Sequence, residues 1–184
     1  MKKYLQTNHI QKLKELRLWA DANAPEKIKP VLDYTWSYAL GWLAPEMFGT
    51  GFKITKNKDH EMQAELPFYK SSANANNETH QGVVVNAGLE MARQHLDRQL
   101  VGFGYKVLQS NITLQKHTPW TNNLQMKLSV DPIQFEAWVI AFQKKSRQQF
   151  EFEISLSVQG NQKASKKTDL LKIEWLAEKV HLLT

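Results

Sequence analysis

Residues 74–96 read NANNETHQGVVVNAGLEMARQHL. Asparagines, poor in helix interiors and common in turns, lead to Thr79-His80-Gln81-Gly82, and an apolar helical pattern then begins. Val85, Leu89, Ala92, Leu96 and Leu100 recur on one stripe, which predicts a helix over roughly 80–101. Val83, Val84, Ala87, Gly88 and Met91 make the other sides of its first half apolar too, so that half is expected to be buried all round. One acid, Glu90, stands near the middle of this helix.

On both sides of that helix the apolar period is two. Before it, Met62, Ala64 and Leu66 alternate with Glu61, Gln63 and Glu65, a strand over 60–66 that ends at Leu66-Pro67. After it, strands are expected over 105–116, 124–130, 150–158 and 165–176, with a turn at Gly160-Asn161. Between the second and third of these, Asp131 suits an N-cap, Pro132 a first helical position and Gln134 a capping box, so a short helix is expected there. Further upstream, 8–22 reads as an amphipathic helix (Ile10, Leu13, Leu16, Trp19). Residues 30–43 read as an aromatic-rich one (Trp36, Tyr38, Trp42) whose rings are assigned to core packing ahead of a pocket wall. A long apolar helix with strands before and after it implies an α+β domain in which an antiparallel sheet wraps around the central helix. The whole chain, 1–184, is expected to be one domain, with 1–48 a helical extension packed on it.

Composition removes several classes of function. With 184 residues, 42% hydrophobic and 23% charged, the chain can bury a single core. The absence of cysteine excludes disulfides, thiolate metal ligands and cysteine nucleophiles, and fits a cytoplasmic setting. The lysines at the start are not followed by the apolar run of a signal peptide, and no stretch approaches a membrane span. The net charge of +6 is spread along the chain without a nucleic-acid motif, so nucleic acid is not expected as a partner; a phosphate-bearing small ligand remains compatible.

The segment LPFYKSSANANNETHQGVVVNAGLE resembles the centre of hotdog-fold thioesterases, in particular a PaaI-like branch of bacterial proteins. That branch carries Leu-Pro, an Asn-x-Asn loop, Thr-His-x-Gly and an acid eleven residues after the threonine. Leu66-Pro67, Thr79, His80, Gly82 and Glu90 match, and Asn74 takes the place of the second loop asparagine. Ser72 replaces the first asparagine, the loop is one residue longer, Val83 stands for a second glycine, and Glu90 for the usual aspartate. The resemblance runs from about Gly51 to Trp175.

The resemblance implies hydrolysis of an acyl-CoA or acyl-carrier thioester, without a metal or organic cofactor, in a homodimer or a pair of dimers. The unpaired amides of a helix start suit a developing oxyanion, and Gly82 admits close approach to them. Glu90 would be the catalytic base or nucleophile; Asn74, His80, Gln81, Gly82, Val83 and Asn86 would meet the substrate. Gly82 and Glu90 are eight residues apart, about 12 Å along a helix, too far to serve one carbonyl together. In the family the helices of two subunits lie side by side, so the acid of one serves the helix start of the other. Glu90 can equally be read as the i,i+3 partner of Arg93. His9, His60, His95, His117 and His181 show no metal spacing and are expected to be solvated. A hotdog protein without activity, binding acyl groups or acting as an assembly module, is the alternative. A hotdog dehydratase is disfavoured, because Ala75 occupies the position where an aspartate is needed.

Overall fold

The computed structural model describes residues 50–58, 60–70, 73–100, 104–160 and 168–180, with Asn23, Pro25, Lys27 and Ile28. The helices expected over 8–22 and 30–43 lie outside these residues. The described elements are β1 (Lys53–Lys58), β2 (Glu61–Leu66), α1 (Gln81–Gln99), β3 (Gly104–Gln115), β4 (Leu124–Ser129), α2 (Pro132–Lys144), β5 (Arg147–Val158) and β6 (Asp169–Val180). All six strands join one sheet in the order β1-β2-β4-β5-β6-β3, and every neighbouring pair is antiparallel. The sheet curls over α1, giving the hotdog architecture.

Alternation sets which face of each strand meets the helix. Met62 pairs with Leu128, Ala64 with Met126 and Phe152 with Ile173, and all six are buried. The intervening Gln125, Lys127, Glu151, Glu153, Lys172 and Glu174 face water. The last strand runs over 169–180 rather than 165–176, with Leu171, Ile173, Trp175 and Ala177 inward. The alternation of buried residues runs from Asp169 to Ala177, beyond the expected end at 176.

The predicted stripe holds in the second half of the helix, where Ala92, Leu96 and Leu100 are buried, but not in the first. Its buried residues are Val84, Ala87, Gly88, Glu90, Met91, Ala92, His95 and Leu96, while Val83, Val85 and Leu89 are only partly covered. The first half is therefore not buried all round within one chain. Gly88 marks the contact line: a β-carbon built there would sit 2.1 Å from Leu171 Cδ2 and 3.3 Å from Ile154 Cδ1. Without a side chain at Gly88, the helix backbone settles directly onto β5 and β6. His95 is a correction, because it is fully buried against the rings of Phe135 and Phe152, at centroid distances of 5.0 and 6.3 Å. It lies seven residues after Gly88 and so falls on the same inner stripe. His60 and His117 are exposed, as expected.

α2 begins as predicted, with the Asp131 carboxylate accepting from the Gln134 N–H at 3.0 Å. It buries Phe135 and Phe142, which pack on Phe150 of β5. Gly160, at φ 84°, adopts the left-handed conformation that the turn after β5 requires. β3 forms one edge of the sheet, with Leu108 and Ile112 exposed.

Candidate functional site

The asparagine loop is organised by Asn74. Its side-chain oxygen accepts from the N–H groups of Asn76 (2.9 Å) and Glu78 (3.1 Å), and its own N–H donates to the Glu78 carbonyl at 2.8 Å. Asn77 supplies the left-handed residue that closes the turn, at φ 56°. Asn74 thus shapes the loop with the oxygen that a substrate contact would otherwise use. Thr79 follows, fully buried, its N–H donating to the Trp120 carbonyl at 2.8 Å. Its hydroxyl has no hydrogen-bond partner among the described residues.

His80 is the N-cap of α1. Its Nδ1 accepts from the Gly82 N–H at 3.1 Å, and its carbonyl accepts from Val83 at 3.0 Å and Val84 at 3.4 Å. An Nδ1 that accepts leaves the proton of the neutral ring on Nε2, so the imidazole offers a donor on its far side. The Gly82 amide, expected to be open to a ligand, is therefore already capped. Among the leading amides, that of Gln81 has no acceptor among the described residues. His80, Gln81 and Gly82 are exposed, and Val83 and Asn86 are partly covered.

Glu90 stands elsewhere on the helix. Two residues beyond Gly88, it is about 200° around the axis, on the side away from the sheet. Yet it is only 4% exposed. Oε2 accepts from Arg93 Nε at 2.8 Å and lies 2.6 Å from Nη2, while Oε1 accepts from Gln94 Nε2 at 2.8 Å. The pair with Arg93 anticipated from the spacing is thus formed. Burial pushes the Glu90 carboxyl above the usual glutamate value; Arg93 and the Gln94 hydrogen bond oppose the shift without cancelling it, and Asp97 adds to it. Tyr105 O–H donates to Asp97 Oδ1 at 2.7 Å, extending the polar row along this side of the helix. Burial and the adjacent Asp97 hold the Tyr105 hydroxyl protonated.

The site residues named from the sequence therefore fall into two groups. Asn74, His80, Gln81, Gly82 and Val83 gather at the helix start; Glu90 lies two turns further along, with Asn86 on its row between them. Trp120, Lys116, Tyr105 and Asp169 also belong to these surroundings and were not anticipated. They come from distant stretches of chain and leave no periodic mark; a tryptophan isolated among polar residues at 117–123 is the one sign a reader could have used. No group of three His, Cys, Asp or Glu side chains able to hold a metal occurs among the described residues. No described helix is long and apolar enough to cross a membrane. A shallow polar groove lined by Gln63, Glu65, Gln125, Lys127 and Ser155 lies on the outer face of the sheet, away from α1.

No family model and no curated protein matches the sequence. Solved structures do match. A protein of unknown function from Pseudomonas aeruginosa, a probable thioesterase, is similar over 80% of this chain and 96% of its own, with a TM-score of 0.64 and 7% identity. A hypothetical thioesterase from Streptococcus pneumoniae TIGR4, solved with coenzyme A, is similar over 80% and 98%, with a TM-score of 0.51 and 15% identity. The PaaI protein of E. coli, from the phenylacetic acid degradation operon, is similar over 83% and 94%, with a TM-score of 0.51 and 13% identity. At these identities the likeness is one of fold.

Proposed function

We propose that this chain is a thioester hydrolase acting on an acyl-CoA or acyl-carrier thioester, at a site completed by a second copy of the chain. Glu90 of one subunit takes a proton from the water that attacks a carbonyl held by the α1 start of the other, or attacks that carbonyl itself to give a mixed anhydride that water then cleaves. The Gln81 amide and the Nε2–H of His80 are the donors within reach of a developing oxyanion there. The thiol leaves as the tetrahedral intermediate collapses, and no metal or organic cofactor takes part. Two of the similar structures named above, the probable thioesterase from Pseudomonas aeruginosa and the hypothetical thioesterase holding coenzyme A, support this reading.

The observation that carries the proposal is the state of Glu90. A carboxylate at 4% exposure, on the side of the helix that the sheet does not cover, costs stability unless it serves a purpose. Its raised proton affinity moves it toward the range in which a base works near neutral pH. The partly covered Val83, Val85 and Leu89 and the open edge of β3 are apolar surface that a second subunit can bury. Light scattering at micromolar concentration is expected to report a dimer; a stable monomer would overturn the shared site. Release of free thiol across a panel of acyl chain lengths tests the chemistry itself.

A second reading has its own observations. Glu90 is closed in by Arg93 and Gln94, and the Gly82 amide is occupied by His80, which suits an inactive protein that binds acyl groups. Saturable binding of an acyl-CoA without thiol release would decide for it.

A further inference from the structure

Asp169, the first residue of β6, is 3% exposed, and donors fill both of its carboxylate oxygens. Oδ1 accepts from the N–H groups of His117 (2.5 Å) and Thr118 (3.2 Å). Oδ2 accepts from the Trp120 indole Nε1–H at 2.7 Å and from the Thr118 hydroxyl. One carboxylate thereby sets the shape of the connection between β3 and β4.

That connection holds the entrance to α1. The Trp120 carbonyl accepts from the Thr79 N–H at 2.8 Å, one residue before the N-cap. Lys116 pairs with Glu78, and its ammonium lies 5.0 Å from the centroid of the Trp120 ring. Residues 78 and 79 are therefore tied from both sides to a loop that Asp169 fixes. Two residues further along β6, Leu171 meets the same helix at Gly88. The start of β6 thus locates α1 twice, at its middle by packing and at its start by a chain of hydrogen bonds. A helix cap made by His80 fixes the direction of the first amides relative to the helix; only contacts from outside fix where the cap stands.

We propose that Asp169 is a positioning residue for the α1 start: through His117, Thr118 and Trp120 it sets where the Gln81 amide and the His80 ring that caps Gly82 stand. The functional half of this inference rests on reading the α1 start as the site of the thioester carbonyl; the tether does not. A residue that only stabilises the fold leaves the chemistry of the folded protein unchanged, and that difference can be measured.

The experiment uses the full chain with two substitutions. Asp169→Asn places an amide N–H₂ against one pair of donors. Trp120→Phe removes the indole N–H and keeps an aromatic ring, smaller than the indole, in its place; it decides the matter if the first variant does not fold. Both are assayed well below their melting midpoints. Amide hydrogen exchange over 78–84 is expected to quicken by about tenfold or more, while exchange over 90–96 stays near wild type. The kcat for the best acyl-CoA should fall by about tenfold, with KM changed by less than about threefold, because misplaced donors fail mainly in the transition state. Folded variants with wild-type exchange at 78–84 overturn the tether. Quickened exchange with an unchanged kcat overturns the positioning role. If the wild-type protein cleaves no thioester, the proposed function fails by itself, and the exchange measurement still decides whether Asp169 holds the helix start.

Discussion

Glu90 and Asp169 both expose little surface, at 4% and 3%, yet their carboxyls shift in opposite directions; Glu90 lies deeper within the protein, so burial weighs more on it. Burial raises both. At Asp169 the hydrogen bonds from Thr118, Trp120 and His117 outweigh it and hold the carboxyl below its ordinary value. At Glu90 the Arg93 cation and the Gln94 amide do not outweigh it. The other part of the cause lies in the secondary structure around each. A loop folding over a strand start can turn backbone N–H groups toward a carboxylate, and Asp169 receives two of them. In the middle of a helix those groups are already bonded along the helix, so Glu90 can draw only on side chains three and four residues ahead. A buried acid is settled or left reactive by which element carries it as well as by how deep it lies.

The largest effect that could break this comparison is on turnover. Glu90→Gln keeps the shape and removes the charge, and kcat should fall by about 10²- to 10⁴-fold while the protein remains folded. A variant that releases thiol at the wild-type rate removes Glu90 from the chemistry. Asp169→Asn should show the converse balance in urea denaturation, losing about 2–4 kcal/mol of stability, because buried donors lose a charged acceptor. If it costs no more than a surface change, Asp169 is not settled in the sense described.

Arg93→Met sharpens the comparison from the side of the cation. Arg93 lowers the Glu90 proton affinity, so its removal should move the acidic limb of the pH–rate profile upward by about one unit or more. An unmoved limb would mean that Glu90 is not the group that titrates. The smallest effect concerns stability against pH. The Glu90 value is raised in the folded state, so the folded protein holds more protons than the unfolded chain above the ordinary glutamate value of about 4.3. Stability attributable to Glu90 is thus lost as pH rises from there through its folded value. The melting temperature of Glu90→Gln minus that of wild type should grow by a few degrees, on the order of 2–4 °C per kcal/mol, between pH 4 and neutrality. Asp169 has the opposite sign: its contribution is present above about pH 3.9 and is lost as pH falls through its depressed folded value.

Much of the fold was legible because burial repeats. Strands β2, β4 and β5 alternate cleanly, and Asp131-Pro132 marks the start of α2 with side chains whose roles are local. The side that α1 turns to the sheet was legible in its second half, where Ala92, Leu96 and Leu100 lie inward as the stripe has them, but not in its first. Val83, Val84, Val85, Ala87, Gly88 and Leu89 surround the helix with apolar groups, so more than one stripe satisfies the period. The choice falls to Gly88, whose missing β-carbon admits Leu171. At the site, the Glu90–Arg93 pair follows from spacing along one helix. The ties of Asp169 to Trp120 and of Trp120 to Thr79 join separate stretches of chain, and contacts of that kind depend on a topology that no local pattern encodes.

The order of strands also carries a consequence in time. β3 follows α1 directly in the chain, yet its sheet partner is β6, with Ile112 beside Ile173 and Gln115 beside Leu170. During synthesis β3 is made before its partner, and β4, α2 and β5 are all made before β6 can pair with it. During that interval Val107, Leu108 and Ile112 belong to a strand able to pair with whatever edge it meets. Synthesis of the last strand supplies the edge it needs, and the same event brings in Asp169 and Leu171. The helix start is therefore fixed only after residue 169 has been made, and a nascent chain halted before it carries every residue named at that start but lacks the carboxylate that shapes the loop holding it.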